Sequence, residues 1–217
     1  MESYAVTAGI RMLSYYHYPP VGALDFGREI QIYNFGWPAE WVKTYLSSDF
    51  LHIDPVPRAA IRRTLPFWWS DIDTMVELDA EERAYLVTVR QQGFGHGLAV
   101  PVFGPSGRNG YYAVGFGKDG LVPDETQIAR IHVVCQLAHL RYCDLILESM
   151  PDKVSLSERE RQILGLLVRG QSNQMIAARL QISINTVDTY VRRCFDKLDV
   201  HDRMTAGLRG LALGLVA

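Results

Sequence analysis

The pattern that most constrains the fold is a pair of short amphipathic helices joined by a tight turn within residues 156–205. Ser157 and Glu160 are spaced as a capping box that starts the helix before this pair, and Gly170 is placed to end that helix. Periodic apolar residues predict three more helices, over residues 173–180, 183–198 and 202–213. The chain is therefore expected to contain a four-helix domain organised around a helix-turn-helix.

The helix predicted over residues 183–198 has two chemically different faces. One face is apolar and is expected to pack on the preceding helices through Val187, Val191, Cys194 and Leu198. The opposite face carries Asn185, Thr189, Arg192, Arg193 and Asp196. Arginine can bind guanine through two hydrogen bonds, asparagine can bind adenine, and both can bind phosphate. Because caps, turn and flanking helices accompany this polar face, the pattern favours DNA binding over a merely solvated helix surface.

Charge is divided unevenly along the 217 residues, whose formal net charge is −2. Residues 1–150 hold 12 Lys and Arg against 17 Asp and Glu, a net of −5, whereas residues 151–217 hold 10 against 7, a net of +3. The basic part is the part that carries the helix-turn-helix pattern. This asymmetry suits binding of that part to nucleic acid, although +3 is a modest charge.

Cysteine content and hydropathy argue against several classes of protein. Cys135, Cys143 and Cys194 are odd in number and form no Cys-x-x-Cys pair, which argues against a disulfide framework or a zinc site. No apolar run approaches the roughly 20 residues of a membrane span, and the first residues lack the order of a signal peptide. These features predict a cytoplasmic protein without a metal, a cofactor or a membrane anchor.

Proline and polar residues mark a boundary near residues 149–155. We accordingly predict a first domain over residues 1–149, a linker over 150–155 and the helix-turn-helix domain over 156–217. Strands of the first domain are predicted over residues 12–18, 29–33, 97–103 and 110–117. Its helices are predicted over residues 38–46, 55–63, 79–93 and 124–149. The expected fold of this domain is a sheet with helices packed on it.

All four tryptophans fall within the 33 residues from Trp37 to Trp69, with Tyr45 and Asp54 among them. Aromatic residues at this density normally form a hydrophobic core. An aromatic core with a few polar groups is also what a pocket for an amphiphilic small molecule requires, because indole N–H groups donate hydrogen bonds and a carboxylate accepts them. Asp54 precedes Pro55 and is equally well placed to cap a helix. From the residues alone, both interpretations of this cluster stay open.

Residues 156–205 resemble the C-terminal DNA-binding domain of the LuxR family of bacterial transcription regulators. The nearly constant Glu, Leu and Gly of that family fall on Glu160, Leu164 and Gly170. Each of the three has a structural task here, because Glu160 caps a helix, Leu164 packs and Gly170 ends a helix. They are therefore poor candidates for contacts with DNA bases.

Two residues of the predicted recognition helix depart from the family pattern. Tyr190 stands where His is common, and Asp188 stands where many members carry a basic or polar residue. Phosphate repels an acidic group, so Asp188 is expected to face a cytosine amino group or to orient a neighbouring arginine. The operator sequence of a relative therefore cannot be transferred to this chain. The residues expected to contact DNA are Asn185, Thr186, Asp188, Thr189, Arg192 and Arg193.

A second resemblance covers much of the first domain. It is similar to the autoinducer-binding domain of LuxR-type quorum sensors at Trp37-Pro38-x-x-Trp41-x-x-x-Tyr45, Asp54-Pro55-Val56, Pro66-Phe67-Trp68-Trp69-Ser70, Gly97 and Pro101. The resemblance implies an α/β/α sandwich with a mainly antiparallel sheet. It also implies a regulatory ligand, an N-acyl homoserine lactone, whose lactone carbonyl accepts from Trp41 and whose amide N–H donates to Asp54. Tyr45 and Trp69 are implied to line the pocket.

Two departures in the first domain concern the acyl end of such a ligand. Trp37 stands where the family usually has Tyr, whose hydroxyl binds the acyl carbonyl, and Ala113 falls where many members have Ser or Thr. The lactone contacts are thus retained while the acyl group stays open, so a shorter, branched or aromatic acyl group and a non-lactone ligand are alternatives. The expected ligand-binding residues are Trp37, Trp41, Tyr45, Asp54, Trp68, Trp69, Gly97 and Ala113.

The two resemblances together imply a transcription regulator whose DNA binding a small signal controls. The expected partners are promoter DNA, the autoinducer, a second copy of the chain and RNA polymerase. The helices over residues 124–149 and 202–213 are candidate dimer surfaces, although their apolar residues could serve only the core. A regulator of similar build that ignores small molecules is an alternative. A phosphorylated receiver domain is disfavoured because residues 1–120 lack its acidic pattern.

An enzyme is the remaining alternative, suggested by four polar residues that fall on one predicted helix: His132, Cys135, His139 and Asp144. No nucleophile elbow or oxyanion loop accompanies them. His132 and His139, seven residues apart, could share a helix face and bind a metal ion, but no third ligand is evident. We therefore expect no catalytic residue and no metal site.

Overall fold

The computed structural model describes residues 1–25, 33–47, 50–118, 120, 122–149 and 154–216. The chain forms two compact units. The first unit comprises Met1–Tyr18, Glu29–Gly104 and Asn109–Cys143, and the second comprises Pro19–Arg28, Pro105–Arg108 and Asp144–Ala217. Residues 150–153 of the predicted linker and residues 29–32 of a predicted strand lie outside the described residues. The division into domains at residues 150–155 therefore stays a prediction.

An antiparallel sheet forms the centre of the first unit. Its strands are β1 (Met12–Tyr18), β2 (Tyr33–Phe35), β3 (Phe67–Trp68), β4 (Gly97–Phe103) and β5 (Asn109–Gly115). They are arranged in the order β2-β1-β5-β4-β3, and each neighbouring pair runs antiparallel. The strands predicted over residues 12–18, 97–103 and 110–117 are therefore confirmed to within two residues at each end.

The helices described in the first unit are α1 (Glu2–Thr7), α2 (Ala39–Ser47), α3 (Phe50–Ile53), α4 (Pro55–Ala60), α5 (Ile72–Met75), α6 (Ala80–Gln91) and α7 (Glu125–Ser149), of which α7 continues into the second unit. Side chains cap several of them as predicted. Asp54 accepts from the backbone N–H of Val56, and Asp79 forms a capping box with Glu82. α4 ends earlier than predicted because the N–H of Arg63 already bonds to the carbonyl of Ala60, three residues back.

Alternation along the strands gives the sheet two apolar faces. On one face Tyr16, Ala99 and Tyr111 pack in a core that contains residues of α4, α5 and α6. On the other face Tyr15 and Val100 pack in a core that contains residues of α1 and α7. Helices thus cover both faces of the sheet, which confirms the predicted α/β/α sandwich with an antiparallel sheet.

The second unit contains α8 (Glu158–Val168), α9 (Asn173–Leu180), α10 (Ile184–Leu198) and α11 (Arg203–Ala212). Each of these helices starts at a capping side chain, from Ser157, Ser172, Ser183 and Asp202 respectively. Gly170 adopts a φ of +76°, as its predicted role at a helix end requires. The predicted four-helix arrangement is confirmed. Over the described ranges, no helix has the length and apolar character needed to cross a membrane.

Candidate functional site

The first unit contains a cavity of about 70 Å3 between one face of the sheet and the helices that cover it. Its wall combines aromatic and aliphatic side chains with a few polar groups. The lining residues are Ser14, Tyr16, Asn34, Trp37, Trp41, Val42, Tyr45, Leu46, Asp54, Val56, Trp69, Tyr85, Leu86, Val89, Tyr111 and Ala113. An apolar cavity with a small number of convergent polar groups is typical of a small-molecule site.

Asp54 is the acidic group of this cavity, and three donors converge on its carboxylate. One oxygen accepts from the backbone N–H of Val56 at 2.9 Å, which caps α4. The other accepts from the hydroxyls of Tyr45 at 2.9 Å and Tyr85 at 3.2 Å. Burial raises the pKa of Asp54 to about 6, although these hydrogen bonds act in the opposite direction. The carboxylate is therefore both the predicted helix cap and an acceptor that faces the cavity.

Two tryptophans of the cavity wall have buried indole N–H groups. The Nε1 atoms of Trp37 and Trp69 are buried, and neither donates a hydrogen bond to a described residue. Their rings stack with centroids 6.3 Å apart. A buried donor without an acceptor costs about 1–3 kcal/mol of free energy. A ligand oxygen that accepts from either indole would remove this cost and would therefore bind more tightly. Trp41, half-buried, packs on Phe94 with ring centroids 5.2 Å apart.

Strands β1 and β5 supply the opposite wall. Tyr16 and Tyr111 are cross-strand partners whose rings stack with centroids 4.6 Å apart and an interplanar angle of 7°. Burial raises the pKa of Tyr16 to about 12, so its hydroxyl remains protonated at neutral pH. Ser14 lies directly opposite Ala113 in the register, and its hydroxyl donates to Asn34 Oδ1 at 2.6 Å. A hydroxyl is thus present beside the position where this chain has Ala in place of the family's Ser or Thr.

Six of the eight residues predicted to bind a ligand line this cavity: Trp37, Trp41, Tyr45, Asp54, Trp69 and Ala113. Trp68 does not, because its register with Leu98 turns it to the other face of the sheet, where it stacks on His96 with centroids 5.1 Å apart. Gly97 does not line it either. A Cβ at Gly97 would lie 2.5 Å from the indole ring of Trp69, so this glycine makes room for Trp69.

The sequence interpretation missed several lining residues, chiefly Ser14, Tyr16, Asn34, Tyr85 and Tyr111. The strand pattern contains a signal for some of them, because alternate residues of β1 share one face. No such signal exists for Tyr85, which reaches Asp54 from α6, 31 residues along the chain. Its position depends on how α6 packs against the sheet.

The second unit presents the predicted helix-turn-helix through α9 and α10. Gln181 closes α9 in the left-handed conformation, with φ 53°, and Ser183 caps α10 two residues later. Val187, Val191 and Cys194 of α10 are buried in the core of the unit, as predicted. The turn and the apolar face therefore fix which side of α10 is turned to solvent.

The exposed side of α10 carries four of the predicted DNA-contacting residues, Asn185, Thr189, Arg192 and Arg193. The guanidinium of Arg193 lies over the ring of Tyr190 at 5.5 Å from its centroid. Thr186 is half-buried, and its hydroxyl bonds to that of the capping Ser183 at 2.8 Å. A basic helix face next to a capped turn is able to bind the edges of bases or phosphates.

Asp188, also half-buried, has a partner that the sequence did not suggest. Its carboxylate accepts from the side-chain amide of Asn173 at 2.6 Å, and the carbonyl of that amide accepts from Arg203 at 3.0 Å. These bonds connect the starts of α9 and α11 to α10. In this structure Asp188 therefore ties the helices of the unit together instead of orienting an arginine of α10.

Glu160 has the structural role that we predicted. It is 3% exposed, accepts from the backbone N–H of Ser157 and accepts from Lys197 Nζ at 2.7 Å. Burial acts to raise its pKa, but the Lys197 ammonium and the Ser157 bonds outweigh that effect and leave the pKa below its ordinary value.

The residues that suggested an enzyme are dispersed on α7. Cys135 is fully buried in the core of the sheet face, and burial raises the pKa of its thiol to about 12. Such a thiol supplies almost no thiolate at neutral pH. Asp144 is exposed, and His132 is half-buried. Cys135 is therefore not suited to act as a nucleophile.

Similarity to known proteins covers both units. Residues 1–142 match the autoinducer binding domain family, and residues 154–208 match the bacterial regulatory proteins of the luxR family. The chain is 31% identical over 185 residues to the quorum sensing-dependent transcriptional regulator RpaR of Rhodopseudomonas palustris, covering 83% of this chain and 73% of RpaR. It is 32% identical over 171 residues to the transcriptional activator RaiR of Rhizobium etli, covering 76% of this chain and 69% of RaiR.

Solved structures share the fold. SdiA of Escherichia coli superposes with a TM-score of 0.68 at 20% identity, covering 99% of this chain and 89% of SdiA. A complex of SdiA with octanoyl-rac-glycerol superposes with a TM-score of 0.72 at 20% identity, covering 97% and 84%. These findings confirm the resemblance read from the sequence. The chain belongs to the LuxR family of bacterial transcription regulators, with an autoinducer-binding domain and a LuxR-type DNA-binding domain.

Proposed function

We propose that this regulator binds an N-acyl homoserine lactone in the cavity of the first unit, and that the bound ligand controls binding of the second unit to promoter DNA. The observation that carries the proposal is the Asp54 carboxylate together with indole and hydroxyl groups in a predominantly apolar cavity. A ligand of this class has one amide N–H to donate and two carbonyl oxygens to accept, so it complements that set.

The amide N–H of the ligand is proposed to donate to Asp54. The carboxylate already faces the cavity, and it shares one oxygen with the hydroxyls of Tyr45 and Tyr85. The two carbonyl oxygens are proposed to accept from indole N–H groups. Trp41 is the donor to the lactone carbonyl that the family resemblance implies, and the buried N–H groups of Trp37 and Trp69 are available to the acyl carbonyl.

The acyl group is proposed to be short or compact. A cavity of about 70 Å3 is small beside the roughly 300–1,000 Å3 of pockets that hold drug-sized ligands. The indole of Trp37 also occupies the position where the family usually has the smaller phenol of Tyr. A long acyl chain would therefore have to displace side chains of the wall, at a cost that a short chain avoids.

Homodimer formation is proposed to use α7. Four large apolar side chains of this helix are between 37% and 61% exposed: Val133, Leu137, Leu140 and Leu145. Residues 133, 137 and 140 recur at helical spacing and so share one side of α7. A second copy of the chain would cover them and would place two DNA-binding domains on a site with twofold symmetry. RNA polymerase is the further proposed partner.

A non-lactone amphiphile is the second candidate ligand. The SdiA complex contains octanoyl-rac-glycerol, which has an acyl chain and hydroxyl groups but no amide or lactone. A ligand of that kind would use the indole donors and the tyrosine wall of this cavity and would leave Asp54 without an amide partner. A regulator that ignores small molecules is the remaining alternative, and it would leave the buried indole donors unexplained.

Thermal unfolding of the full-length protein tests the proposal. The panel contains butanoyl, hexanoyl, isovaleryl, cinnamoyl and dodecanoyl homoserine lactones, with octanoyl glycerol for the second candidate. A ligand at 100 times its dissociation constant stabilises the state that it binds by about 2.7 kcal/mol. A selective rise in Tm with compact lactones supports the proposal. A rise only with octanoyl glycerol favours the second candidate, and no rise with any compound contradicts both.

A further inference from the structure

A second cluster of polar side chains lies on the face of the sheet opposite the ligand cavity. His17 of β1 and His139 and Cys143 of α7 are all buried. One potential ligand atom from each of the three lies within 4.8 Å of the other two. From this geometry we propose that the first unit contains a binding site for a divalent transition-metal ion, zinc in the first instance, with His17, His139 and Cys143 as the protein ligands.

The donor set matches the chemistry of zinc. Zinc binds imidazole nitrogen at about 2.0–2.1 Å and thiolate sulfur at about 2.3 Å, which in a tetrahedral site places neighbouring donor atoms about 3.3–3.6 Å apart. Cys143 Sγ lies 3.5 Å from His139 Nε2, already at that separation. Bringing all three donors to that spacing requires side-chain movement of about 1 Å, which a rotation of His17 about its χ angles can supply.

The positions of the three ligands on α7 and β1 explain why their side chains meet. His139 and Cys143 are four residues apart on α7 and therefore lie on the same side of the helix. His17 comes from β1, on the sheet face that α7 covers, and its ring centroid lies 6.1 Å from that of His139. The pair considered from sequence, His132 with His139, is not the one that the fold assembles, because His132 is outside this cluster.

The hydroxyl of Tyr15 contacts both histidines of the cluster. It lies 2.7 Å from His139 Nδ1, which leaves Nε2 of that ring directed at the sulfur of Cys143. Metal-binding histidines usually donate their second ring N–H to a carboxylate, a backbone carbonyl or a water molecule, which fixes the ring orientation and the tautomer. The Tyr15 hydroxyl oxygen can accept in the same way. Tyr15 Oη also lies 3.4 Å from His17 Nδ1. Tyr15 is thus a positioning residue for both imidazoles.

Two aromatic residues that contact the cluster also border a groove. Tyr15 and Tyr142 line an open groove on the first unit, and the ring of Tyr142 meets that of His17 at a centroid distance of 5.1 Å. A water molecule would complete the four-coordinate shell that zinc prefers. Aromatic faces around the site also favour the positive charge that remains after one thiolate binds a divalent ion. The thiol proton of Cys143 is released to solvent when the ion binds.

A bound ion would join β1 to α7. Strand β1 also presents Ser14 and Tyr16 to the ligand cavity on its other face, so the two sites share one strand. The ion would therefore stabilise the strand on which part of the cavity wall is built. This inference does not depend on the identity of the cavity ligand, and its failure would leave the proposed function unaffected.

The test uses the full-length chain without a polyhistidine tag, freed of metal with a chelator. Zinc is titrated in competition with a chromophoric chelator, and the bound metal is counted by mass spectrometry after gel filtration. We expect one zinc ion per chain. Cys143→Ser is expected to weaken zinc binding at least about 100-fold, and Tyr15→Phe about 10- to 100-fold, the range for loss of a group that orients a ligand. Cys135→Ala and His132→Gln, on the same helix but outside the cluster, are expected to bind zinc normally.

Cobalt substitution of the wild-type chain provides a readout that does not depend on the folding of variants. Cobalt in the wild-type chain is expected to give the intense visible bands of a four-coordinate ion and a sulfur-to-cobalt charge-transfer band. The charge-transfer band should be absent from Cys143→Ser and retained in Cys135→Ala. The proposal is overturned if the wild-type chain retains no stoichiometric zinc or if its cobalt form lacks the sulfur band. Either result would identify the cluster as hydrogen-bonded core.

Discussion

The hydroxyl of Tyr45 donates to Oδ2 of Asp54 at 2.9 Å, and Oδ1 of the same carboxylate caps α4 through the N–H of Val56. One side chain thus starts a helix and lines the cavity that we propose as the ligand site. Fixing the carboxylate by the cap limits its rotation, so the acceptor is already oriented before a ligand arrives. Preorganisation of this kind reduces the entropy lost on binding.

Ligand affinity should depend on pH through Asp54. Burial raises its pKa to about 6 in the free protein, and a donated amide N–H would favour the ionised form and lower that pKa. Affinity for the best lactone should therefore fall as pH drops below about 6, by about 10-fold at pH 5 relative to pH 7.5. Asp54→Asn, which retains a capping oxygen, should bind more weakly and without this pH dependence. Calorimetric titration at several pH values measures both, and a pH-independent wild type would contradict the assignment.

The same carboxyl has a predictable effect on stability. Its folded pKa lies above the unfolded value near 3.9, so the native state binds the proton more tightly. The contribution of Asp54 to the free energy of unfolding should therefore increase as pH falls from about 6 to about 4, by on the order of 2 kcal/mol. Urea unfolding of wild type and of Asp54→Asn over this pH range gives the free energy of unfolding of each as a function of pH. The difference between the two slopes isolates the contribution of Asp54.

Substitution of two tryptophans distinguishes the effect of hydrogen bonding on ligand affinity from the effect of aromatic packing. Trp41 lines the cavity, whereas Trp68 packs on the other face of the sheet. Trp41→Phe removes the N–H that the family resemblance assigns to the lactone carbonyl, and it should weaken ligand binding by about 1–3 kcal/mol, or about 5- to 150-fold. Trp68→Phe is the matched control and should change ligand affinity by less than about 2-fold while lowering Tm. Equal losses of affinity in the two variants would show that packing, not donation, is responsible.

The effect of an Arg192 substitution on DNA affinity should show whether this side chain binds a base or a phosphate. Its side chain is exposed on α10. Arg192→Ala is expected to weaken binding to the cognate operator by about 1–3 kcal/mol and to reduce discrimination against mutated operators if the guanidinium binds a base. A uniform loss on every DNA sequence, with a smaller dependence on salt, would mark a phosphate contact. Arg161→Ala, an exposed arginine of α8, serves as the control for net charge.

The exposed apolar side of α7 should form the dimer interface. Leu137 is 61% exposed, and a Leu137→Glu side chain would place a charge in the proposed interface. We expect this variant to be monomeric by analytical ultracentrifugation, to keep its ligand-dependent rise in Tm and to lose affinity for a two-fold symmetric operator. Val87→Glu, which alters a 48% exposed residue of α6, should remain dimeric. A dimeric Leu137→Glu protein would exclude this surface.

Local sequence patterns were sufficient to predict the helices whose starts are set by contacts between neighbouring residues. The capping box of Ser157 with Glu160 starts α8 where the spacing predicts. The same is true of Ser183 and α10, because a cap is a contact between residues three apart. The family resemblance likewise placed six of its eight predicted ligand-binding residues on the wall of one cavity. It failed for Trp68, because whether a residue faces the cavity depends on strand register with β4 rather than on the motif that contains it.

Taken alone, the sequence determined the helix-turn-helix, the strands around the hairpin of β4 and β5, and the family. These features rest on short-range periodicity, caps and motif spacing. Only the tertiary structure decided that Tyr85 reaches Asp54 across 31 residues, and that Tyr15 meets His139 across 124. Such contacts depend on how helices pack on the two faces of a sheet, and nothing in the local pattern of either segment specifies that packing.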